Sequence, residues 1–249
     1  MEGESKPFAY RAGRLLDSVI TLEDPAFPAP LHIEQRSDAA LAGDTTDGTN
    51  RRIWPTAIIT SRYMCAHPDT VRGKRVLELG AGAGIVGLVC AMLGAEVVVI
   101  TDLPGALPLI EANVQRNPLS DGRVVVMPCT WGDAAEEAAV VSRAGGRFDV
   151  VVACEVIYKQ LPEVLQALAA TQRNLLLDSG LSLVSYEFRG EFFDDLAYFD
   201  AANEIFDCET VSLRPFECEF EDKEDPDEET RYLYRYTPLR PLTGVATAS

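Results

Sequence analysis

Short hydrophobic runs alternate with helix-like segments between Arg75 and Tyr158, and this alternation predicts a parallel sheet with crossover helices. Each run is apolar at nearly every position, which is typical of strands buried on both faces. The pattern therefore predicts a doubly wound α/β fold. The predicted strands are Arg75–Leu79, Val97–Thr101, Val124–Met127, Phe148–Cys154 and Leu181–Tyr186, and the predicted helices are Gly84–Leu93, Gly105–Arg116, Leu161–Leu176 and Phe192–Ile205.

Two further apolar segments complete the predicted sheet. Glu209–Leu213 and Tyr232–Tyr236 are expected to pair as an antiparallel hairpin, which gives a seven-strand, mostly parallel sheet with an antiparallel last strand. Upstream, Ser18–Leu22 and Leu31–Glu34 predict a small accessory hairpin. The polar run Ser37–Asn50 predicts a mobile loop.

The length of 249 residues suits one sizeable core, so we expect one domain over residues 1–249. It would consist of an N-terminal extension (residues 1–50) and a cofactor-binding core (residues 51–240). The chain has 39 Asp and Glu against 22 Lys and Arg, a formal net charge of −17. This charge argues against nucleic acid or an anionic membrane as the main partner and favours a protein with a basic surface. We expect a monomer.

The six cysteines show no C-x-x-C motif and no pairing with histidine. We therefore expect free thiols in a reducing compartment, the cytoplasm or also the nucleus, and no metal site. No apolar run reaches the roughly 20 residues that cross a bilayer, and no secretory signal is expected.

A glycine-rich loop follows the first core strand. In Gly80-Ala81-Gly82-Ala83-Gly84, glycines allow backbone N–H groups to approach a ligand at the start of a helix. Gly82, Gly84 and Gly87 also match the dinucleotide pattern G-x-G-x-x-G, with Asp102 on the next strand. The loop predicts a nucleotide-containing ligand and leaves its class open.

Glu78 and Asp102 favour one class of ligand. A carboxylate at Glu78 would repel a pyrophosphate and attract a cofactor with a cationic ammonium group. S-adenosylmethionine is such a cofactor, and Asp102 could accept hydrogen bonds from both hydroxyls of its ribose. A tight turn without a ligand and a solvated Glu78 are the alternative interpretations.

Further candidates follow other strands. Trp54-Pro55 precedes a helix of apolar spacing, and Trp131 follows the third strand, where it could pack on an adenine ring or belong to the core. The fourth strand ends with Ala153, Glu155 and Tyr158. Because carboxyl ends of strands form the ligand crevice of such sheets, a carboxylate and a phenol would meet there.

Taken in order, these motifs resemble the seven-strand protein-lysine methyltransferases that modify valosin-containing protein, heat-shock chaperones and elongation factors. The resemblance runs from Arg52 to about Tyr236. It rests on Trp54-Pro55, Leu77-Glu78-Leu79-Gly80-Ala81-Gly82, Thr101-Asp102-Leu103-Pro104, Trp131-Gly132, Ala153 to Tyr158 and Tyr186-Glu187-Phe188-Arg189.

The resemblance implies a class I S-adenosylmethionine-dependent methyltransferase acting on a lysine of a non-histone protein. It also implies that the segment ending at Tyr158 faces the methyl acceptor. That family usually reads Asp-x-x-Tyr where this chain has Glu155-Val156-Ile157-Tyr158, so the acceptor geometry and the target stay open. The implied cofactor contacts are Trp54, Gly80, Ala81, Gly82, Asp102, Trp131 and Ala153.

Glu155 is expected to orient the incoming amine by accepting its N–H, and Tyr158 to offer its hydroxyl. The alternative for Glu155 is a salt bridge to Lys159 or Arg189. The acidic run from Glu217 to Glu229 is either a solvated turn or a surface that steers a basic substrate. A cofactor-binding scaffold without catalysis and a nicotinamide-dinucleotide oxidoreductase are the competing functions.

Overall fold

The computed structural model describes residues 18–35, 53–119, 123–188, 195–217 and 230–239. Short 3-10 turns cover Pro68–Thr70 and Arg214–Phe216. The strands and α-helices of this described part are, in chain order, β1 (Ser18–Leu22), β2 (Leu31–Gln35), α1 (Pro55–Ala66), β3 (Arg75–Leu79), α2 (Ile85–Met92), β4 (Val97–Asp102), α3 (Leu107–Arg116), β5 (Val124–Pro128), α4 (Ala134–Ala144), β6 (Phe148–Cys154), α5 (Pro162–Leu175), β7 (Leu176–Glu187), α6 (Leu196–Ile205), β8 (Phe206–Ser212) and β9 (Arg231–Pro238).

The main sheet has seven strands in the order β5-β4-β3-β6-β7-β9-β8. Strands β3 to β7 pair in parallel, and β9 pairs antiparallel with both β7 and β8. The predicted fold class is therefore confirmed, including the final hairpin. The chain builds β4 and β5 on one side of β3 and then β6 and β7 on the other, so the crevice lies at the carboxyl ends of β3 and β6.

Alternate side chains of β3 enter two hydrophobic clusters, one on each face of the sheet. Val76 packs in the cluster that contains α1, α2 and the β1–β2 hairpin, whereas Leu77 and Leu79 pack in the cluster that contains α4, α5 and α6. Both faces are therefore covered, which explains the nearly continuous apolar strands. By the same alternation Glu78 lies on the face of Val76, beneath α2.

The hairpin of β1 and β2 has the predicted antiparallel pairing, from Ser18 opposite Gln35 to Leu22 opposite Leu31. It is more than an accessory, because Leu22, Leu31 and Ile33 are almost fully buried in the main core. Its interior residues therefore contribute to the same hydrophobic cluster as the helices beside the glycine loop.

Helix α4 has no counterpart among the predicted helices. Its N-cap residue Asp133 accepts hydrogen bonds from the N–H groups of Ala135 and Glu136, and Gly145 ends the helix in the left-handed region at φ 74°. Strand β7 is also longer than predicted, because it begins directly after α5. The predicted loop Ser37–Asn50 and the acidic run beyond Glu217 lie outside the described residues.

Within the ranges given above, no helix has both the length and the apolar character that crossing a membrane requires. The described cysteines, Cys65, Cys90, Cys129, Cys154 and Cys208, are free thiols. Cys90 and Cys129 are buried, and burial raises the pKa of both thiols.

Candidate active site

The glycine loop between β3 and α2 adopts a backbone that few other residues tolerate. Gly80, Gly82 and Gly84 have φ angles of 64°, 56° and 79°. The loop is held by two backbone hydrogen bonds, from Ala81 N to Thr101 O (3.0 Å) and from Gly84 N to Ala81 O (2.8 Å). It therefore forms a tight turn against the end of β4 and presents the N-terminus of α2 to the crevice.

Gly80 lies against two side chains from other strand ends. A Cβ at this position would stand 2.6 Å from Val156 Cγ1 and 3.2 Å from Trp131 Cζ2. The structure thus brings the loop, the turn after β5 and the segment after β6 together at one point. Val156 belongs to no predicted set of site residues, although its position between Glu155 and Tyr158 could have suggested it.

Asp102 supports the loop from the end of β4. Its Oδ2 accepts a hydrogen bond from Gly82 N at 2.8 Å, and its Oδ1 accepts one from Leu103 N at 2.7 Å. Burial raises the pKa of this carboxyl, while the two N–H donors lower it. A carboxylate oxygen can accept more than one hydrogen bond, so Asp102 keeps the capacity to accept two hydroxyl groups of a ligand.

Glu78 lies beneath the loop, with only 2% of the residue exposed. Its Oε2 accepts a hydrogen bond from Gly87 N at 2.8 Å, and burial raises its pKa to about 8. Burial therefore favours the protonated form of this carboxyl and weakens the sequence argument that its negative charge excludes a pyrophosphate. Direct contact between Glu78 and a ligand stays a prediction.

The turn that carries Trp131 is fixed by a chain of hydrogen bonds. Gly132 N donates to Thr171 Oγ1 (2.8 Å), and Thr171 donates in turn to Oε1 of the buried Glu137 (2.6 Å). At the other side, Thr130 N donates to Glu136. Two helices, α4 and α5, thereby position one half-buried indole beside Gly80. Sequence reasoning missed these residues, because the pairing spans 34 to 39 positions.

The segment after β6 brings Glu155 and Tyr158, the predicted contacts of the methyl acceptor, to the same edge of the sheet. Ala153 is fully buried, opposite Leu79 and Val184, and its contact with a ligand stays a prediction. Glu155 has φ 56°, a left-handed conformation that is uncommon for glutamate and is often found at functional sites. Its N–H donates to Ser185 O at 3.0 Å.

Aromatic rings line this part of the crevice. The ring centroids of Trp54 and Tyr158 are 6.4 Å apart. Trp54 is the N-cap residue of α1, and Pro55 follows in the first turn. Lys159, also at a positive φ (50°), places its ammonium 5.1 Å from the centre of the Tyr158 ring. Arg189, the other cation considered for Glu155, lies outside the described residues.

The predicted site residues therefore lie in one region, with Ala81 in the loop and with Glu78 beneath it. The crevice offers a carboxylate, backbone N–H groups of a helix N-terminus and two half-buried indoles, which suits a nucleoside ligand. Among the residues that the structure describes, no group of three or more His, Cys, Asp or Glu side chains could hold a metal ion.

Comparison with solved structures identifies the class of fold to which this site belongs. The rRNA N2 G1207 methyltransferase RsmC of T. thermophilus, solved with AdoMet and guanosine, matches with a TM-score of 0.58 and 18% identity, over 88% of this chain and 50% of that chain. A TehB-like SAM-dependent methyltransferase from Corynebacterium glutamicum matches with a TM-score of 0.51, over 76% of this chain and 90% of that chain. The fold is that of the class I methyltransferases.

A family model described as lysine methyltransferase matches residues 34–204. The chain therefore belongs to this lysine methyltransferase family, as the resemblance implied. Protein N-lysine methyltransferase METTL21A of Mus musculus is 35% identical over 141 residues, 56% of this chain and 61% of the relative. EEF1A lysine methyltransferase 3 of Mus musculus is 34% identical over 144 residues, 58% of each chain. The chain thus spans less than two thirds of these curated relatives.

Proposed function

We propose that this protein transfers a methyl group from S-adenosylmethionine to the side-chain amine of a lysine in another, non-histone protein. The observation that carries the proposal is the convergence of Asp102, the glycine loop and the segment from Glu155 to Tyr158 at one edge of the sheet. Membership of the lysine methyltransferase family supports methyl transfer to a lysine as the reaction at this edge of the sheet. A dinucleotide ligand has no comparable support.

The residues present fit the proposed cofactor. Asp102 suits a ribose diol, because its oxygens can accept hydroxyl donors besides the N–H groups of Gly82 and Leu103. Trp131 and Trp54 are half-buried indoles that could contact the adenine and the remaining parts of the cofactor. When bound, S-adenosylmethionine would supply an electrophilic methyl group; Gly80, Ala81, Gly82 and Ala153 would position it.

The acceptor side of the proposal concerns Glu155 and Tyr158. A lysine ammonium has no lone pair, so it must lose a proton before it can attack, and partial desolvation in the crevice favours that loss. Glu155 would orient the amine by accepting an N–H and could pass the proton to water. Tyr158 would pack beside the amine and offer its hydroxyl. Alignment and exclusion of water are the main contributions expected of such a site.

The partner is proposed to be a protein with a basic surface. The chain carries a formal net charge of −17, which would attract such a surface and repel nucleic acids and anionic membranes. If rim charges act on encounter, added salt should slow association, since exposed charges are screened over about 8 Å at physiological ionic strength. We also propose that the protein acts as a monomer in the cytoplasm or nucleus; the free thiols of the cysteines that the structure describes suit a reducing compartment.

The test is transfer of isotope from labelled S-adenosylmethionine in a cell extract. Label in a protein band, followed by mass spectrometry of the labelled peptide, should identify a methylated lysine. Label that appears only in small molecules or nucleic acid would overturn the proposal. A wild-type protein that binds the cofactor but transfers no label to any extract would instead support the scaffold alternative.

A further inference from the structure

Two buried carboxamides, those of Asn113 and Gln35, connect the N-terminal hairpin to the walls of the crevice. Asn113 lies on α3 and is fully buried. Its Oδ1 accepts from Glu34 N (2.7 Å), and its Nδ2 donates both to Glu34 O (3.2 Å) and to Ala83 O in the glycine loop (3.0 Å). Both amide hydrogens are therefore used, one on the hairpin and one on the loop.

Gln35, the last residue of β2, is 4% exposed. Its Oε1 accepts a hydrogen bond from Ile53 N at 2.9 Å. Ile53 is buried and directly precedes Trp54, where α1 begins. Adjacent residues of the hairpin, Glu34 and Gln35, are thus connected to two segments of the proposed cofactor site. Glu34 is bonded through Asn113 to the glycine loop, and Gln35 is bonded to the residue before Trp54 at the start of α1.

We infer that the hairpin is a positioning element of the cofactor site, and that Asn113 and Gln35 are positioning residues. This inference rests on the proposed function. Neither side chain is proposed to contact the cofactor; each is bonded to a backbone segment whose neighbouring residues are proposed to contact it. A crevice binds well when its walls are held within a fraction of an ångström, and buried hydrogen bonds of this kind limit their movement.

The chain offers a close control in Asn117, four residues further along. This side chain is also buried, and its Oδ1 accepts from His32 N while its Nδ2 donates to His32 O (2.9 Å each). Its second donor bond goes to Asn113 O (2.7 Å) rather than to the glycine loop. Asn113→Ala and Asn117→Ala therefore remove equivalent bonds to β2, but only Asn113→Ala removes a bond to the loop.

The first measurement is amide hydrogen exchange of the full chain without ligand. Asn113→Ala should speed exchange in residues 80–88 clearly more than Asn117→Ala does. Gln35→Met, which keeps side-chain length and removes the bond to Ile53, should speed exchange at the start of α1 and spare the loop. Equal loop exchange in the two asparagine variants would overturn the inference, and Gln35→Met tests it independently if Asn113→Ala does not fold.

The second measurement is calorimetric titration of the same folded variants with S-adenosylhomocysteine, the demethylated product. Asn113→Ala should weaken affinity by about five- to tenfold, the value of one lost hydrogen bond. Asn117→Ala should change it less than about twofold. A wild-type protein without affinity would count against the proposed function, whereas wild-type affinity with equal losses in both variants would count against the inference alone.

Discussion

Oδ2 of Asp102 accepts a hydrogen bond from the backbone N–H of Gly82, with 2.8 Å between the two atoms. One side chain at the end of β4 therefore supports the glycine loop and also presents lone pairs to the proposed ribose site. Cofactor affinity should therefore depend both on the charge of Asp102 and on its hydrogen bond to the loop. Two substitutions separate these two contributions.

We expect Asp102→Ala to weaken cofactor binding by about 1.5–3 kcal/mol, because charge-assisted hydrogen bonds are lost and the loop is released. Asp102→Asn keeps an oxygen that can accept from Gly82 and should lose less. Calorimetric titration with S-adenosylmethionine measures both. Unchanged affinity in a folded Asp102→Ala protein would show that this residue is not at the ribose.

Gly80 and Gly73 form a matched pair for a second prediction. Both have a positive φ (64° and 70°), but an added Cβ at Gly73 meets nothing within 4 Å, whereas at Gly80 it would meet Val156. Each substitution to Ala should cost about 1–2 kcal/mol of backbone strain, and Gly80→Ala about 1–3 kcal/mol more from overpacking.

Urea unfolding of the two alanine variants measures this difference, and methyl transfer by the folded proteins measures its consequence. Gly80→Ala should lose transfer because Val156, next to Glu155, must move. Similar stability and activity in the two variants would contradict the packing that we describe at the loop.

Thr171 provides the third prediction. Thr171→Val keeps the shape of the side chain but leaves Gly132 N without its acceptor and Glu137 without one donor, so the free energy of unfolding should fall by about 2 kcal/mol. The control is Thr56→Val, since the buried Thr56 hydroxyl has no hydrogen-bond partner in the part of the chain that the structure describes. Thermal unfolding should separate the two; equal losses would argue against the network.

Much of the sheet could be predicted because strands buried on both faces are locally apolar, as in β3 and β6. Helix α4 is absent from the sequence prediction because its residues mix alanine, charged and apolar side chains. Asp133 before it and Gly145 after it are nevertheless recognisable cap signals. The contacts of Asn113 could not be predicted, since its partner Glu34 lies 79 positions away. Only the tertiary fold brings such side chains together.

Glu78 illustrates a different limit. It directly precedes the last residue of β3, and the sequence predicts that its carboxyl contacts the ligand. The alternation along β3 places this side chain beneath α2, where it accepts a hydrogen bond from Gly87 N. The sequence identifies the residue but does not show the burial that raises its pKa, and contact with the cofactor stays a prediction.

Burial of Glu78 makes a prediction about stability and pH. Its folded-state pKa of about 8 lies above the reference value of 4.5, mainly because of desolvation. The folded state keeps a proton that the unfolded state releases, so this group's contribution to stability is lost as pH rises from 4.5 to 8. Glu78→Gln removes the titration, and denaturant unfolding at several pH values should show its stability relative to wild type rising over that interval. Parallel curves would contradict the assignment.

The last prediction concerns the left-handed backbone of Glu155 (φ 56°). Asp enters this region more readily than most residues, so the family's usual Asp suits the backbone better than the Glu of this chain. We therefore expect Glu155→Asp to raise the free energy of unfolding slightly.

Activity is a separate outcome, because Asp shortens the carboxylate by one methylene. If Glu155 and Tyr158 act on the acceptor, Glu155→Gln and Tyr158→Phe should lower turnover more than about tenfold with little loss of cofactor affinity. Higher activity of Glu155→Asp would mean that the shorter carboxylate suits the acceptor; lower activity would mean that the crevice is matched to the longer one. Equal loss of turnover and cofactor affinity in the Gln and Phe variants would contradict the acceptor role, because it would indicate that both side chains support the crevice as a whole.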